Sequence, residues 1–408
     1  MPNQAEQETP VRLAYIGCWY KNDMYSHNCS NLVDSLRGAG MMVDVITSNC
    51  RCFSSAQKFS IAKDELINEH CSPIAIPHAP RNPGKKNGML KYLAVKILRL
   101  DLILAIARGF LYYKRARHAD VIHFDQVLEA FGCVPLFILI YLASWSGKRV
   151  VVTVHEIDPF QLSYKRFNRL YNKCAEVLVY SENMKRQIVG LGASAENIKV
   201  IRYGARIPEL VSTDRKQYIY FGGHNITRGK GYVELLDALL LLKSRGIKIP
   251  LVIYVGYGCN GLEEAKQLAV RKNVADMIQW QDFYSAEELA KVYQRAKACI
   301  IPFTGGSARH PLTCAMVNAT PVIATRAVDI PEYLGDLGIY LDGSAASIAD
   351  AVAEIESGRR DLNALGQSLR AKALAELDYA KIAEGLSREY SRVAGRRKLL
   401  HIQPAAVA

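Results

Sequence analysis

The segment YFGGHNITRGKGYVELLDALLLLKSRG, 220–246, carries the densest set of groups that could do chemistry. Gly222, Gly223, Gly229 and Gly231 stand with His224, Arg228 and Lys230 directly before an apolar helical run. Glycine lets backbone come close to a ligand, a helix start offers unpaired N–H groups, and two fixed cations lie beside both. That set predicts a diphosphate site, with solvated surface charge as the plainer alternative. A second candidate is His155, which closes the apolar run VVVTVHE and is followed by Glu-Ile-Asp-Pro. A histidine at the C-terminal edge of a buried strand suits titration near neutral pH and proton transfer, unless neighbouring backbone merely satisfies it.

The elements that must position these groups follow from periodicity. Apolar runs bounded by turn signals alternate with helical patterns almost throughout, the pattern of βαβ units and parallel sheets. Strands are predicted at 12–18, 42–47, 121–124, 149–155, 176–180 and 198–202 in the first half. They recur at 218–222, 251–255, 278–280, 298–302, 321–324 and 339–341, with helices between, and helices over 345–393 close the chain. The polar stretch 207–216 is the expected linker. The spacing predicts an α/β protein of two doubly wound domains, 1–207 and 208–380, with a helix and tail at 381–408. Ligands are expected in a cleft at the sheets' C-terminal edges.

The bulk numbers agree. A chain of 408 residues suits two domains, and 50% hydrophobic with 22% charged residues describes a globular chain. Ten cysteines at scattered spacings, without a Cys-x-x-Cys pair, read as reduced thiols and neither a metal centre nor a disulfide framework. The polar N-terminus MPNQAEQETP shows no signal peptide, and no stretch reaches the ~20 apolar residues of a membrane span. Much of the net charge of +13 sits in 81–118, where ten basic residues face one acid, a net +9. Within it MLKYLAVKILRLDLILAIARGFLYY is strongly apolar, with Lys91, Lys96 and Arg99 on an arc of about 140°. A basic, apolar, amphipathic helix fits the headgroup boundary of an anionic membrane, the alternative being a packed helix with a solvated basic face. Basic residues mixed with Leu and Ile argue against a nucleic-acid partner.

Four segments resemble family-4 glycosyltransferases and their GT-B relatives. The opening YIGCWYKNDMYSHNCSNLVDSLRGAGMMVDVIT is similar to that family's first strand, loop, helix and second strand, though without its paired glycines. VVVTVHE ends where family members carry a histidine. The 220–246 segment resembles "FVGRLxxxKGxxxLLxAF" with one extra residue, Lys230-Gly231 matching the KG. Finally, ACIIPFTGGSARHPLTCAMVNATPVIATRAVDIPEYLGDLGIYLD is similar to the family's segment of two glutamates followed by PVIAT and a third glutamate. Ala315-Met316, 321–325 and Glu332 fall in frame, but the two glutamates fall on Gly306 and Cys314, and the turn glycine on Ala319 or Thr320.

The resemblance implies a GT-B fold and transfer of a sugar from a nucleotide-sugar donor. The acceptor expected from the basic apolar segment is a polyprenyl-diphosphate-linked saccharide of bacterial exopolysaccharide, capsule or O-antigen synthesis. Such an enzyme would work in the cytoplasm, peripheral to the anionic inner face of the cell membrane. Donor-binding residues would be Gly223, His224, Arg228, Lys230, Ser307, Arg309, His310, Thr313 and Glu332. Fixed cations stabilise the departing diphosphate, so no metal or other cofactor is expected, and no Asp-x-Asp motif stands in a matching context. His155 is the expected base, with Glu156, Asp23 or His27 as substitutes, and Asp23 and His27 lie on the acceptor side. The absent glutamates leave three alternatives open, a divergent transferase, a non-catalytic subunit partnering another transferase, or a shifted frame, against which PVIAT followed by Glu332 argues. A sugar-nucleotide epimerase on the same fold fits the apolar segment poorly.

Overall fold

The computed structural model describes residues 10–17, 26–48, 69–72, 100–125, 133–155, 157, 169–209, 218–222, 226, 228–255, 261–282 and 286–395. The chain forms two compact units. The first comprises 1–180, 184–201 and 379–408, and the second Ser181–Asn183 and Arg202–Asp378.

The first unit is built on β1 (Arg12–Gly17), β2 (Met42–Ser48), β3 (Glu69–Ser72), β4 (Val121–Asp125), β5 (Arg149–Thr153), β6 (Glu176–Val179) and β7 (Ile198–Val200). Its helices are α1 (Ser26–Gly38), α2 (Leu100–Ala116), α3 (Cys133–Trp145) and α4 (Glu182–Gly190), the first two residues of α4, Glu182 and Asn183, grouping with the second unit. The strands form one sheet in the order β3-β2-β1-β4-β5-β6-β7, with every pairing parallel. Parallel strands covered on both faces must be apolar throughout, and β1, β4 and β5 are buried along almost their whole length. The sequence pattern missed β3, because four residues reading EHCS at a sheet edge carry no apolar run.

The second unit repeats the design. β8 (Ile219–Phe221), β9 (Leu251–Val255), β10 (Ile278–Asp282), β11 (Ala298–Ile301), β12 (Val322–Thr325) and β13 (Ile339–Leu341) form a parallel sheet ordered β10-β9-β8-β11-β12-β13. Its helices are α5 (Tyr232–Ser244), α6 (Leu262–Arg271), α7 (Ala286–Arg295), α8 (Arg309–Val317), α9 (Ile330–Leu334), α10 (Ala345–Glu356) and α11 (Leu362–Glu376).

The units divide at 201/202 and 378/379, where the sequence suggested 207/208 and 380/381. Arg202–Ala205 is tied into the second unit. Tyr203 N–H donates to Tyr333 Oη at 3.0 Å, Ala205 N–H donates to Leu377 O at 3.0 Å, and Arg202 pairs with Glu376 at 3.3 Å. The last helix, α12 (Tyr379–Val393), is no appendage but part of the first unit. Ala383, Leu386, Tyr390 and Val393 recur at helical spacing and share a core with Leu13, Tyr15, Val33 and Leu36.

Candidate functional site

In the first unit, β4 reads VIHFD, so His123 and Asp125 project to the same face two residues apart. Both are buried, at 0% and 2% exposure. Register with β1 sets Tyr15 opposite His123, and register with β5 sets Thr153 opposite Asp125, with His155 just past the strand end. The Asp125 carboxylate then collects three donors. Tyr15 Oη donates to Oδ2 at 2.7 Å, the Cys29 thiol from α1 donates to Oδ2 at 3.0 Å, and His155 Nε2 bonds to Oδ1. Burial alone would raise this carboxyl. The His155 charge and hydrogen bond, with smaller contributions from His123 and the Cys29 thiol, outweigh it and hold the group down at about 2.

His123 lies one layer deeper. Its Nε2 meets Thr153 Oγ1 at 2.7 Å and its Nδ1 meets Tyr390 Oη of α12 at 2.7 Å, while the Tyr15 ring packs edge-on at 4.9 Å. Burial lowers its pKa to about 4, with Asp125 opposing and His155 reinforcing the shift, so His123 is neutral at physiological pH. Tyr15 is pushed well above the usual phenol range by burial and then by Asp125, and stays a donor. The outcome is a half-exposed imidazole, His155, held from behind by a buried anion. That arrangement fixes the orientation of the imidazole ring at the strand end.

Of the expected acceptor-side and base residues, His155 sits at this cluster. His27 lies on α1, while Glu156 and Asp23 fall outside the described residues. Sequence reasoning missed Asp125, His123, Tyr15 and Cys29. A signal was present, since two titratable residues at i and i+2 interrupt an otherwise apolar strand.

In the second unit, β8 runs into Gly222, and a 3-10 turn, Arg228–Lys230, leads through Gly231 into α5. Gly231 has φ +67°, and a Cβ there would lie 2.1 Å from Pro302 O, so only glycine fits. The turn is stitched to the loop after β11. Thr304 N–H and Gly305 N–H both donate to Gly229 O, at 3.0 and 3.1 Å. Lys230 Nζ donates to Ser307 O at 2.8 Å and stands 3.9 Å over the Phe303 ring. Gly222 admits α8, because a Cβ at 222 would approach Pro311 Cβ to 2.8 Å. The N-cap of α8 is Ala308, which offers no capping side chain. Loop glycines, a fixed ammonium and an uncapped helix start thus share one corner of this unit, a suitable environment for an anion.

The remaining expected donor residues divide. His310 is half-buried on α8, with Nε2 3.8 Å from Cys314 Sγ. Arg309 turns inward, 4% exposed, and pairs with the fully buried Asp329 at 2.7 Å. Thr313 is also buried, its hydroxyl donating to His310 O at 3.3 Å. The Glu332 carboxylate accepts from the backbone N–H groups of Glu182 and Asn183, at 2.7 and 2.8 Å. Arg309, Thr313 and Glu332 therefore have structural partners within the unit. Gly223 and His224 lie outside the described residues, and Arg228 belongs to the 3-10 turn. Gly306, which stands where a glutamate was expected, has φ +71°, a conformation that favours glycine. Cys314, in place of the second glutamate, has its thiol pushed up to about 12 by burial. Ala319, in place of a turn glycine, is held at φ +54°.

The expected membrane residues Lys91, Lys96 and Arg99 lie outside the described residues. Among the described residues no helix is long and apolar enough to cross a membrane.

Two family models match, Glycosyltransferase Family 4 over residues 29–206 and Glycosyl transferases group 1 over residues 215–357. Among curated proteins, the chain is similar to the MMP alpha-(1->4)-mannosyltransferase of Mycolicibacterium hassiacum, 25% identical over 172 residues, 41% of each chain. It is also similar to the amylovoran biosynthesis glycosyltransferase AmsK of Erwinia amylovora, 24% identical over 243 residues, 55% of this chain and 59% of that one. The matches thus span about half the length of these relatives. Among solved structures, HepE of Anabaena in complex with UDP and glucose superposes with a TM-score of 0.68 at 14% identity, covering 93% of this chain and 99% of that one. At that identity the likeness shows the fold, two Rossmann-like units of the GT-B kind.

Proposed function

The chain belongs to the GT-B glycosyltransferases of the family-4 type, and from that membership we propose that it transfers a hexosyl group from a nucleotide-sugar donor to a saccharide acceptor. The acceptor in this reading is carried on a polyprenyl diphosphate, in bacterial exopolysaccharide, capsule or O-antigen assembly. The protein works from the cytoplasm against the inner face of the cell membrane.

The observation that carries the proposal is the corner of the second unit where Lys230 is fixed beside Gly229, Gly231 and Gly306 at the uncapped start of α8. Lys230 and Arg228 neutralise the diphosphate, and the first-turn amides of α8 receive its oxygens. No metal is required for this charge balance. Arg309 and Thr313 support the loop from inside, while Ser307 and His310 are left to face the donor. In the first unit, His155 takes the proton of the acceptor hydroxyl as its oxygen bonds to the anomeric carbon and the bond to the diphosphate breaks. Asp125 steadies the imidazolium that results.

The test is release of nucleotide from a panel of UDP-, GDP- and dTDP-sugars with membrane lipid-linked acceptors, beside donor binding by calorimetry. The wild type is expected to release nucleotide from one donor class. Lys230→Gln with Arg228→Gln is expected to weaken donor affinity by about tenfold or more. Unchanged affinity and turnover in that double variant would overturn the donor site.

Gly306 and Cys314 in the glutamate positions favour a second reading, a non-catalytic subunit that partners another transferase. Its mark is donor binding with neither transfer nor hydrolysis for any sugar nucleotide, and co-purification with an active transferase.

A further inference from the structure

The helix α3, CVPLFILIYLASW, contains no charged residue. Its inner side, Leu136, Leu139, Ile140 and Ala143, is buried, as a helix covering a sheet requires. Its outer side is just as apolar. Phe137, Tyr141 and Trp145 follow at intervals of four, so they form one stripe, and they are 43%, 50% and 83% exposed. The Tyr141 and Trp145 rings lie 6.1 Å apart. Beside it α2 exposes Ile103 and Phe110 on one line with Lys114. The two helices touch closely, since a Cβ on Gly109 would come within 2.7 Å of Ile138 Cβ.

Charge is arranged along the same pair. α2 ends at Ala116 just before β4, and α3 ends at Trp145 just before β5. β4 and β5 are parallel neighbours, so both helix ends lie at one sheet edge. The cations Lys114, Arg117, Lys148 and Arg149 therefore lie at the foot of two apolar stripes and outnumber Asp120 just before β4, whose carboxylate accepts from Arg12 N–H, while Asp101 is the one acid on either helix.

We propose that the outer face of α2 and α3 is an interfacial anchor for an anionic lipid surface, with Phe137, Tyr141 and Trp145 entering the headgroup boundary and the basic helix ends resting on lipid phosphates. The inference rests on the membrane reading above and moves its apolar contact from 81–118 alone to include a second, uncharged helix. Tyrosine and tryptophan favour the membrane–water boundary because one end of each is apolar and the other polar. A water-facing patch of this kind is unusual on a soluble monomer. Charge complementarity selects the occupant: a cationic rim matches anionic headgroups, whereas a symmetric pairing of two copies would bring like charges together.

The experiment uses the full chain with vesicles of phosphatidylglycerol and phosphatidylethanolamine, and with phosphatidylcholine alone. It reads co-sedimentation and the emission of Trp145. The wild type is expected to bind the anionic vesicles with a blue shift that Trp145→Phe abolishes without abolishing binding. The triple variant Phe137→Ser, Tyr141→Ser, Trp145→Ser is expected to bind roughly tenfold or more weakly. It should keep its melting temperature, because all three side chains are exposed. A triple variant that binds like wild type, while charge reversal at Lys91, Lys96 and Arg99 abolishes binding, overturns the anchor and leaves the membrane reading standing. A wild type that binds no vesicle overturns both. Self-association lost in the triple variant, with no vesicle binding, assigns the face to a second copy and also overturns the anchor.

Discussion

Replacing Asp125 with Asn tests the first-unit cluster most directly, because it changes charge while nearly preserving shape. Asn offers an amide N–H₂ where Asp125 accepts from Tyr15, Cys29 and His155, so at least one donor loses its acceptor. Holding the carboxyl at about 2 instead of its ordinary 3.8 is worth about 2–3 kcal/mol, at ~1.4 kcal/mol per tenfold change in proton affinity. A depressed carboxyl contributes stability that is complete above its unfolded value and vanishes as pH falls through the folded one. Urea melts should therefore show Asp125→Asn less stable by about 2–4 kcal/mol from pH 5 to 7. The gap should narrow as pH drops from about 4 toward 2. In transfer assays, kcat/KM should fall by about 10²-fold or more, since His155 loses the anion that orients it. A stability gap that stays constant down to pH 2.5 would refute the account of Asp125 as a buried anion held by these donors.

His123, buried and neutral with a pKa of about 4, makes the wild type lose stability as pH falls from 6.5 toward 4. The loss approaches about 3 kcal/mol, is absent above pH 6.5, and should shrink in His123→Asn by thermal denaturation. Ala319→Gly should stabilise by about 0.5–1 kcal/mol, because the wild-type residue is held at φ +54°; an unchanged or lower melting temperature contradicts this. Arg309→Met leaves Asp329 buried without its cation, so it should cost about 3–5 kcal/mol in chemical denaturation. Donor affinity lost at unchanged stability would instead place Arg309 at the ligand.

The repeated βα rhythm, the positions of every strand but β3 to within a residue or two, and the glycine turn with Lys230 were legible in local stretches of residues. Each is encoded locally, in apolar periodicity and in glycines that alone tolerate the backbone there, as Gly231 does. Which side chains meet depends on the packed fold. Asp125 and His155 are 30 residues apart and join because β4 lies next to β5, and Tyr390 reaches His123 across 267 residues because the final helix returns to the first unit. Arg309 looked like a donor ligand by residue type, yet the turn of α8 points it at Asp329. Strand order and helix rotation choose such partners, and they are set by the packing of the whole unit, which no local stretch of residues contains.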